Sequence, residues 1–223
     1  MLLDSTVSKD AHSLPRPAAT TSGRHLQIFL KRCLDLMVAA ILILILLPIF
    51  VIVGIFLVMD DGRPIFFRRR VVGRKGEFDA FKFRSMRRDA DDILKRDPAL
   101  REEFEQNFKL KEDPRLTPVG AILRKHSVDE LPQLFNVILG QMSLVGPRMI
   151  TAPELEKYGA FKAALLSVRP GITGYWQVHG RQQVSYEERV AMDMLYVENW
   201  SLWLDLKILF LTPWKVIKGE GAY

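Results

Sequence analysis

Two acidic residues stand side by side at Asp129-Glu130, and several cations elsewhere in the chain lie beside glycine or proline. Lys82 and Arg84 alternate in a strand-like stretch, which places both on one face. Arg148 follows Gly146-Pro147, Arg169 precedes Pro170-Gly171 and Arg181 follows Gly180, positions where backbone can approach a ligand closely. Taken singly, these features are ordinary: paired carboxylates at a helix start serve the dipole and the cap, and any one arginine could be a surface residue. Taken together, two carboxylates and five or six loop-borne cations point to a phosphate-bearing substrate and a divalent ion. Magnesium suits such a site, because it is held by one or two carboxylates plus substrate phosphates rather than by a full protein cage. A carboxylate can also act as a nucleophile toward phosphorus.

Composition narrows the classes of protein that fit. The chain has 223 residues, enough for one domain and an appendage, and its formal net charge is +6. That balance admits nucleic acid or anionic lipid as a partner. Cys33 is the single cysteine, so an internal disulfide framework and a Cys-cluster zinc site are excluded. The histidines, His12, His25, His126 and His179, show no metal-ligand spacing. Many of the basic residues border an apolar run instead of forming an aromatic-interleaved face. Each is there worth about 1 kcal/mol on an anionic membrane surface, which favours lipid over nucleic acid.

The apolar run is Leu36 to Met59, 24 uncharged residues of which 18 are Leu, Ile, Val or Phe. At roughly −0.3 to −0.6 kcal/mol each its insertion is favourable by about 5 to 11 kcal/mol. Pro48 in its middle costs about 3 kcal/mol, which changes the shape of the segment and not its location. Basic flanks stand on both sides: Arg24, Lys31 and Arg32 before it, Arg63, Arg68, Arg69, Arg70, Arg74 and Lys75 after it. Symmetric positive flanks and a central proline suit a re-entrant helix–break–helix with both ends on the cytoplasmic face; on composition alone a kinked span stays open.

The remaining elements position the candidate residues. Residues 1–23, rich in Ser, Thr, Pro and Ala, read as a disordered leader, 24–60 as the re-entrant membrane helix and 61–223 as a cytosolic and interfacial catalytic domain. Pro64–Phe67 and Phe78–Phe83, separated by Gly73 and Gly76, predict a β-hairpin. Residues 87 to 109 predict two short charged helices punctuated by Pro98, and Asp129 to Leu139 a helix that opens on the acidic pair. Residues 186–198 predict a further helix. Trp200 to Trp214 is too short to span a bilayer and reads as an interfacial helix or a core helix. The expected fold is α-rich α+β and membrane-associated: a re-entrant helix, a small β-hairpin and interfacial amphipathic helices around a loop-rich active site.

Five strings, in order, resemble the bacterial sugar transferase family: Lys82-Phe-Arg-Ser-Met86, Leu123 to Asn136, Gly140 to Arg148, Arg169 to Val178 and Tyr196 to Lys207. The resemblance covers roughly residues 28 to 223 and is strongest to the short exopolysaccharide-initiating members. It implies transfer of a hexose 1-phosphate, galactose or glucose, from a UDP-sugar to undecaprenyl phosphate, with release of UMP, at the cytoplasmic face of a bacterial inner membrane. It further implies Asp129 as nucleophile through a phospho-aspartate, Glu130 as magnesium ligand, and Arg148 at phosphate, with Lys82, Arg124 and Asp193 in support. The chain departs from the family pattern at Leu47, Val71 and Met149. A homo-oligomer is compatible with this reading. A non-catalytic membrane scaffold of a polysaccharide assembly complex is the competing one, and it has no use for the Asp-Glu dyad.

Overall fold

The computed structural model describes residues 21–107, 110, 112–180 and 184–218. Its first element, helix α1 (Thr21–Asp61), is 41 residues long, roughly 60 Å at 1.5 Å per residue. Residues 21–23 of the leader expected over 1–23 are helical and belong to α1, and residues 1–20 lie outside the described residues. The break expected at Pro48 is not an interruption of the helix: Pro48 lies inside one continuous helical element. Proline forfeits a single backbone hydrogen bond, and the helix-forming, apolar residues on either side carry the helix through it.

One stripe of α1 packs on the rest of the chain along its length. Lys31, Asp35, Ala39, Leu42, Leu46, Phe50, Val53, Leu57 and Asp61 recur every third or fourth residue and meet the folded body. The opposite side is bare: Leu44 is 73% exposed and Met59 77%, with Ile45, Ile52 and Phe56 between them. So large an exposed apolar surface on a monomer marks a membrane or partner contact.

The expected hairpin is present as β1 (Phe66–Gly73) and β2 (Gly76–Phe83), antiparallel with Phe67 opposite Lys82 and Gly73 opposite Gly76. Its inner face gives Val71, Phe78 and Ala80 to the core. The charged region forms α2 (Ala90–Arg96) and α3 (Pro98–Asn107), divided at Pro98 as the sequence predicts. Then come α4 (Pro118–Lys125) and α5 (Gln133–Ile138), followed by the short strand β3 (Ser143–Val145). Two further short helices, α6 (Ala152–Leu155) and α7 (Lys162–Leu166), lead to β4 (Gly171–Thr173), which pairs with β3 in parallel. The chain continues through α8 (Tyr175–His179) and α9 (Tyr186–Glu198) to α10 (Leu202–Lys218).

The core reading of the segment after Trp200 holds for one face of the helix only. One face of α10 buries Leu204 and Ile208 in the main core, while Trp203, Phe210 and Trp214 on the other remain exposed. Asp205 is the reason the helix cannot rotate freely. It is 1% exposed, accepts from Lys31 Nζ at 2.7 Å, from the Tyr196 hydroxyl at 2.7 Å and from the Trp200 indole at 3.1 Å. Lys31 also donates to the Val145 carbonyl at 3.0 Å, so one ion pair joins α1, β3 and α10. Asp35 adds a second tie, accepting from the Ser143 hydroxyl at 2.7 Å and the Leu144 amide at 3.1 Å. Breaking a buried pair by removing one partner costs about 3–5 kcal/mol. Asp205→Ala is expected to lose stability of that order in a denaturant titration of detergent-solubilised protein; a change within about 0.5 kcal/mol would show that the pair is idle.

Candidate active site

The acidic pair does not open a long helix. The Thr117 hydroxyl accepts the Gly120 amide at 2.9 Å and starts α4, which ends at Lys125. Ser127 then takes a left-handed conformation (φ 53°), and the single tight turn Val128–Glu130 carries Asp129 and Glu130. Pro132, which has no N–H to continue the turn, caps α5. The expected helix over 129–139 is thus two pieces, and the dyad stands on a short turn of its own between α4 and α5.

Four cations converge on that turn. Lys82, from β2, places Nζ 2.7 Å from Glu130 Oε1 and 4.0 Å from Asp129 Oδ2. Arg148 reaches Glu130 Oε1 at 3.6 Å. It follows Gly146, where a side chain is sterically barred: a Cβ would sit 2.5 Å from the Arg169 carbonyl oxygen and 2.8 Å from the Gly171 nitrogen. Arg124, in the last turn of α4, donates to the Ser85 hydroxyl at 3.1 Å and lies 3.7 Å from Asp113, which is itself gripped by Arg115 through two contacts of 2.8 Å. Arg69, on the inner face of β1 with Val71, pairs with Glu154 at 3.3 Å. Arg70, on the other face, pairs with Glu77 and Asp79. Of the basic residues adjoining the Val71 departure, Arg69 is therefore the one aimed at the site.

The two carboxylates are shifted in opposite directions. Asp129 is 5% exposed, and burial together with the adjacent Glu130 charge pushes its carboxyl up, against the pull of Lys82, Arg124 and Arg148. Burial also penalises Glu130, but the charges of Lys82 and Arg148 and the Lys82 hydrogen bond outweigh it and hold Glu130 at about 2. Glu130 is thus firmly ionic, whereas Asp129 is a poorly solvated carboxylate of raised basicity, the property a nucleophile needs. Burial also draws Arg69 and Arg124 below their ordinary value.

The other residues singled out in the sequence divide. Asp193, on α9, lies behind the site: it accepts from the Tyr158 hydroxyl at 2.7 Å, and burial pushes its carboxyl up to about 7. Arg84, expected at substrate phosphate, is occupied elsewhere. It donates to the Gly62 carbonyl at 2.6 Å and the Asp61 carbonyl at 3.0 Å and pairs with Asp61, so it caps the C-terminus of α1. It lies beyond the end of β2 and does not share a strand face with Lys82. Arg169, also expected at phosphate, donates to the Gly140 carbonyl at 2.9 Å, near Arg32 and Arg74, away from the dyad. Arg181 lies outside the described residues.

Sequence reasoning named Arg69 only among the basic flanks and gave Glu154, Trp176 and Arg189 no role. Trp176 receives the guanidinium of Arg189 at 4.6 Å and that of Arg148 at 5.7 Å over its ring, which orients both cations. Glu154 reads as a helix cap in sequence, and it is one, accepting the Thr151 amide at 2.7 Å; its second contact, with Arg69, has no local signal. These groups line an open cleft of about 1600 Å³ whose floor holds Lys82, Asp129, Glu130 and Arg148.

A magnesium ion would find no closed cage here: among the described residues no three His, Cys, Asp or Glu side chains come together. Two hard carboxylates on one turn, with cations alongside to bind phosphates, fit an ion that draws the rest of its ligands from substrate and water.

Residues 26–219 match the bacterial sugar transferase family, and the chain belongs to that family. It is 48% identical over 206 residues to the UDP-galactose-lipid carrier transferase of Erwinia amylovora, covering 90% of this chain and 43% of that one. It is 46% identical over 200 residues to the undecaprenyl-phosphate galactose phosphotransferase of Salmonella typhimurium, with coverages of 87% and 42%. The chain thus spans less than half the length of those two relatives. The exopolysaccharide production protein ExoY of Rhizobium meliloti is 42% identical over 212 residues, 93% of this chain and 94% of that protein.

Proposed function

We propose that this chain transfers a sugar 1-phosphate from a UDP-sugar to undecaprenyl phosphate, releasing UMP. The observation that carries the reading is the Asp129-Glu130 dyad, its Asp129 buried, ringed by Lys82, Arg148, Arg124 and Arg69 in a cleft that Leu42, Leu46 and Ile49 of the apolar helix also line. In the reaction so proposed, an Asp129 oxygen bonds to the sugar-bearing phosphorus as the bond to UMP breaks, and UMP leaves with the electron pair. An oxygen of the polyprenyl phosphate then displaces Asp129 from the same phosphorus. Arg148 and Lys82 neutralise the diphosphate so that an anionic carboxylate can approach it, and Arg124 is held at the dyad by Ser85 and Asp113. Glu130, with Asp129 beside it, would hold magnesium, which would supply further charge neutralisation on the phosphates. Galactose is the sugar to test first, since the names of the two relatives at 48% and 46% identity carry galactose, while one whose name carries glucose is 35% identical. The deciding measurement is UMP release from a panel of UDP-sugars with undecaprenyl phosphate, with and without magnesium. No UMP from any of them would defeat the proposal.

The same reading sets the protein at the cytoplasmic face of the bacterial inner membrane, with anionic lipid against the basic flanks and α1, still helical but bent at Pro48, entering and leaving by one face. Both flanks of α1 are tied to one folded body: Lys31 and Asp35 to α10 and β3, Asp61 to Arg84. A span would put those flanks on opposite sides of a hydrocarbon core about 30 Å thick. With Cys33 replaced by Ser and a cysteine placed at His25, a membrane-impermeant maleimide is expected to label only lysed spheroplasts. Labelling of intact ones would establish a true span.

A further inference from the structure

Every cation ringing the dyad has a carboxylate partner: Lys82 and Arg148 have Glu130, Arg124 has Asp113 and Arg69 has Glu154. Arg189, on α9, differs. Among the described residues its side chain makes no ion pair and no hydrogen bond, and its Nε is buried without a partner. The two carboxylates whose charge reaches it are committed: Glu154 to Arg69 and the Thr151 amide, Asp193 to the Tyr158 hydroxyl. Burial and the like charge of Arg148 draw Arg189 below its ordinary value, so the fold carries this cation at a cost. Two rings hold it in place. Its guanidinium carbon lies 4.6 Å from the centre of the Trp176 ring and 5.0 Å from that of Tyr186.

Trp176 also carries Arg148, at 5.7 Å from the same ring centre. The two guanidinium carbons are therefore no more than about 10 Å apart, the two ring distances laid end to end. Both arginines and both rings line the cleft that holds the dyad. A phosphate bound by Arg148 beside Asp129 thus has a second cation one step along. In a UDP-sugar the reacting phosphorus carries a neutral sugar on one side and the UMP phosphate on the other, so a second anion comes only from the UMP half. The setting suits a nucleotide better than a polyprenyl chain. The Arg189 amide donates to the Ser185 carbonyl, the Tyr186 hydroxyl donates to the Glu154 carbonyl, and Ser185 and Thr151 line the cleft beside them.

We propose that Arg189, backed by Trp176 and Tyr186, is the binding site for the UMP phosphate of the sugar donor, its planar fork donating two N–H groups to the phosphate oxygens. This inference rests on the transfer reaction proposed above and adds the residue that holds its leaving half. As Asp129 bonds to the sugar-bearing phosphorus, the bond to the UMP oxygen breaks and its electron pair stays on UMP. Arg189 neutralises the charge that appears there, so UMP leaves without taking a proton.

The test measures binding of UMP, and of uridine, which lacks the phosphate, to the full chain in lipid nanodiscs by titration calorimetry. Arg189→Gln is expected to weaken UMP about tenfold or more while uridine moves less than threefold, a split that a distorted cleft would not produce. Arg189→Lys, which keeps the charge and loses the fork, is expected to fall between the two. UMP bound by the Gln variant within threefold of wild type overturns the subsite, as does an equal loss of UMP and uridine, or wild-type protein that binds no UMP. In turnover, Arg189→Gln is expected to raise the KM for the UDP-sugar about tenfold and to move the KM for undecaprenyl phosphate less than threefold. The reverse pattern would give Arg189 to the acceptor phosphate and overturn the proposal. Wild-type protein decides the matter where neither variant folds. Saturating UMP, unlike uridine, is expected to shield Arg189 from phenylglyoxal, read by peptide mass spectrometry, and modification at the rate seen without UMP overturns the subsite. Wild-type protein that releases no UMP from any UDP-sugar defeats the transfer reaction instead, and UMP binding still supports or overturns the subsite by the same criteria.

Discussion

Asp129→Asn is expected to lower turnover by on the order of 10⁴-fold or more, the scale seen when a nucleophile that works as part of a unit is removed. Size and shape are preserved and only the charge is lost. Because burial and Glu130 push the Asp129 carboxyl up, its charge is a cost to the folded state, so the Asn protein is expected to melt at the wild-type temperature or slightly above it. Dead and at least as stable is a signature that a misfolded variant cannot produce. Wild-type protein given a labelled UDP-sugar without acceptor is expected to retain a phosphosugar on the peptide containing Asp129, read by mass spectrometry. An adduct on another residue, or full activity of the Asn variant, would overturn the assignment.

Glu130→Gln is expected to do the opposite to stability while also silencing the enzyme. Lys82 Nζ lies 2.7 Å from Glu130 and Arg148 lies 3.6 Å from it, so the variant leaves one half-buried ammonium without its nearest partner. A loss of about 1–3 kcal/mol follows from an unsatisfied buried charge. Turnover is expected to fall on the order of 10²–10⁴-fold, with the magnesium requirement displaced to higher concentration because one hard ligand is gone. A magnesium titration of both proteins separates the effects: a structural lesion lowers the plateau, whereas a lost ligand moves the midpoint. Full wild-type activity in excess chelator would end any metal role for Glu130.

The contrast between these two neighbours explains what a sequence can and cannot disclose about such a site. Asp129-Glu130 were visible as a pair because adjacency is a local property, and the hairpin and α9 were visible because periodicity and turn residues are local too. What sets the two carboxylates apart is distant: Lys82 is 48 residues from Glu130 and arrives only through the register of β2. Arg84 and Arg169 looked equivalent to Arg148, since each is a cation beside glycine, proline or a strand. They differ in which backbone carbonyls the fold offers them, and no spacing rule reports that. The apolar run was legible from composition alone as a helix long and apolar enough to cross a membrane. That one stripe of it would be claimed by the catalytic body was not, because its residues are as apolar on the packed side as on the bare one.

The Lys31–Asp205 pair has a bearing on the order in which the molecule is made. Its partners are 174 residues apart. Closing so long a loop is slow compared with forming the local helices and the hairpin. During synthesis α1 is complete long before α10 leaves the ribosome, so for most of translation the ammonium at its base lacks its 2.7 Å partner and has only Asp35, 4.0 Å away on the same helix, as counter-charge. Until then α1 is held to the folded body by contacts that form earlier, Asp35 with Ser143 and Leu144 and Asp61 with Arg84. α10 therefore acts as the clasp of this body, and a chain cut short before residue 205 is expected to stay open along the α1–α10 seam, an exposed substrate for quality-control proteases.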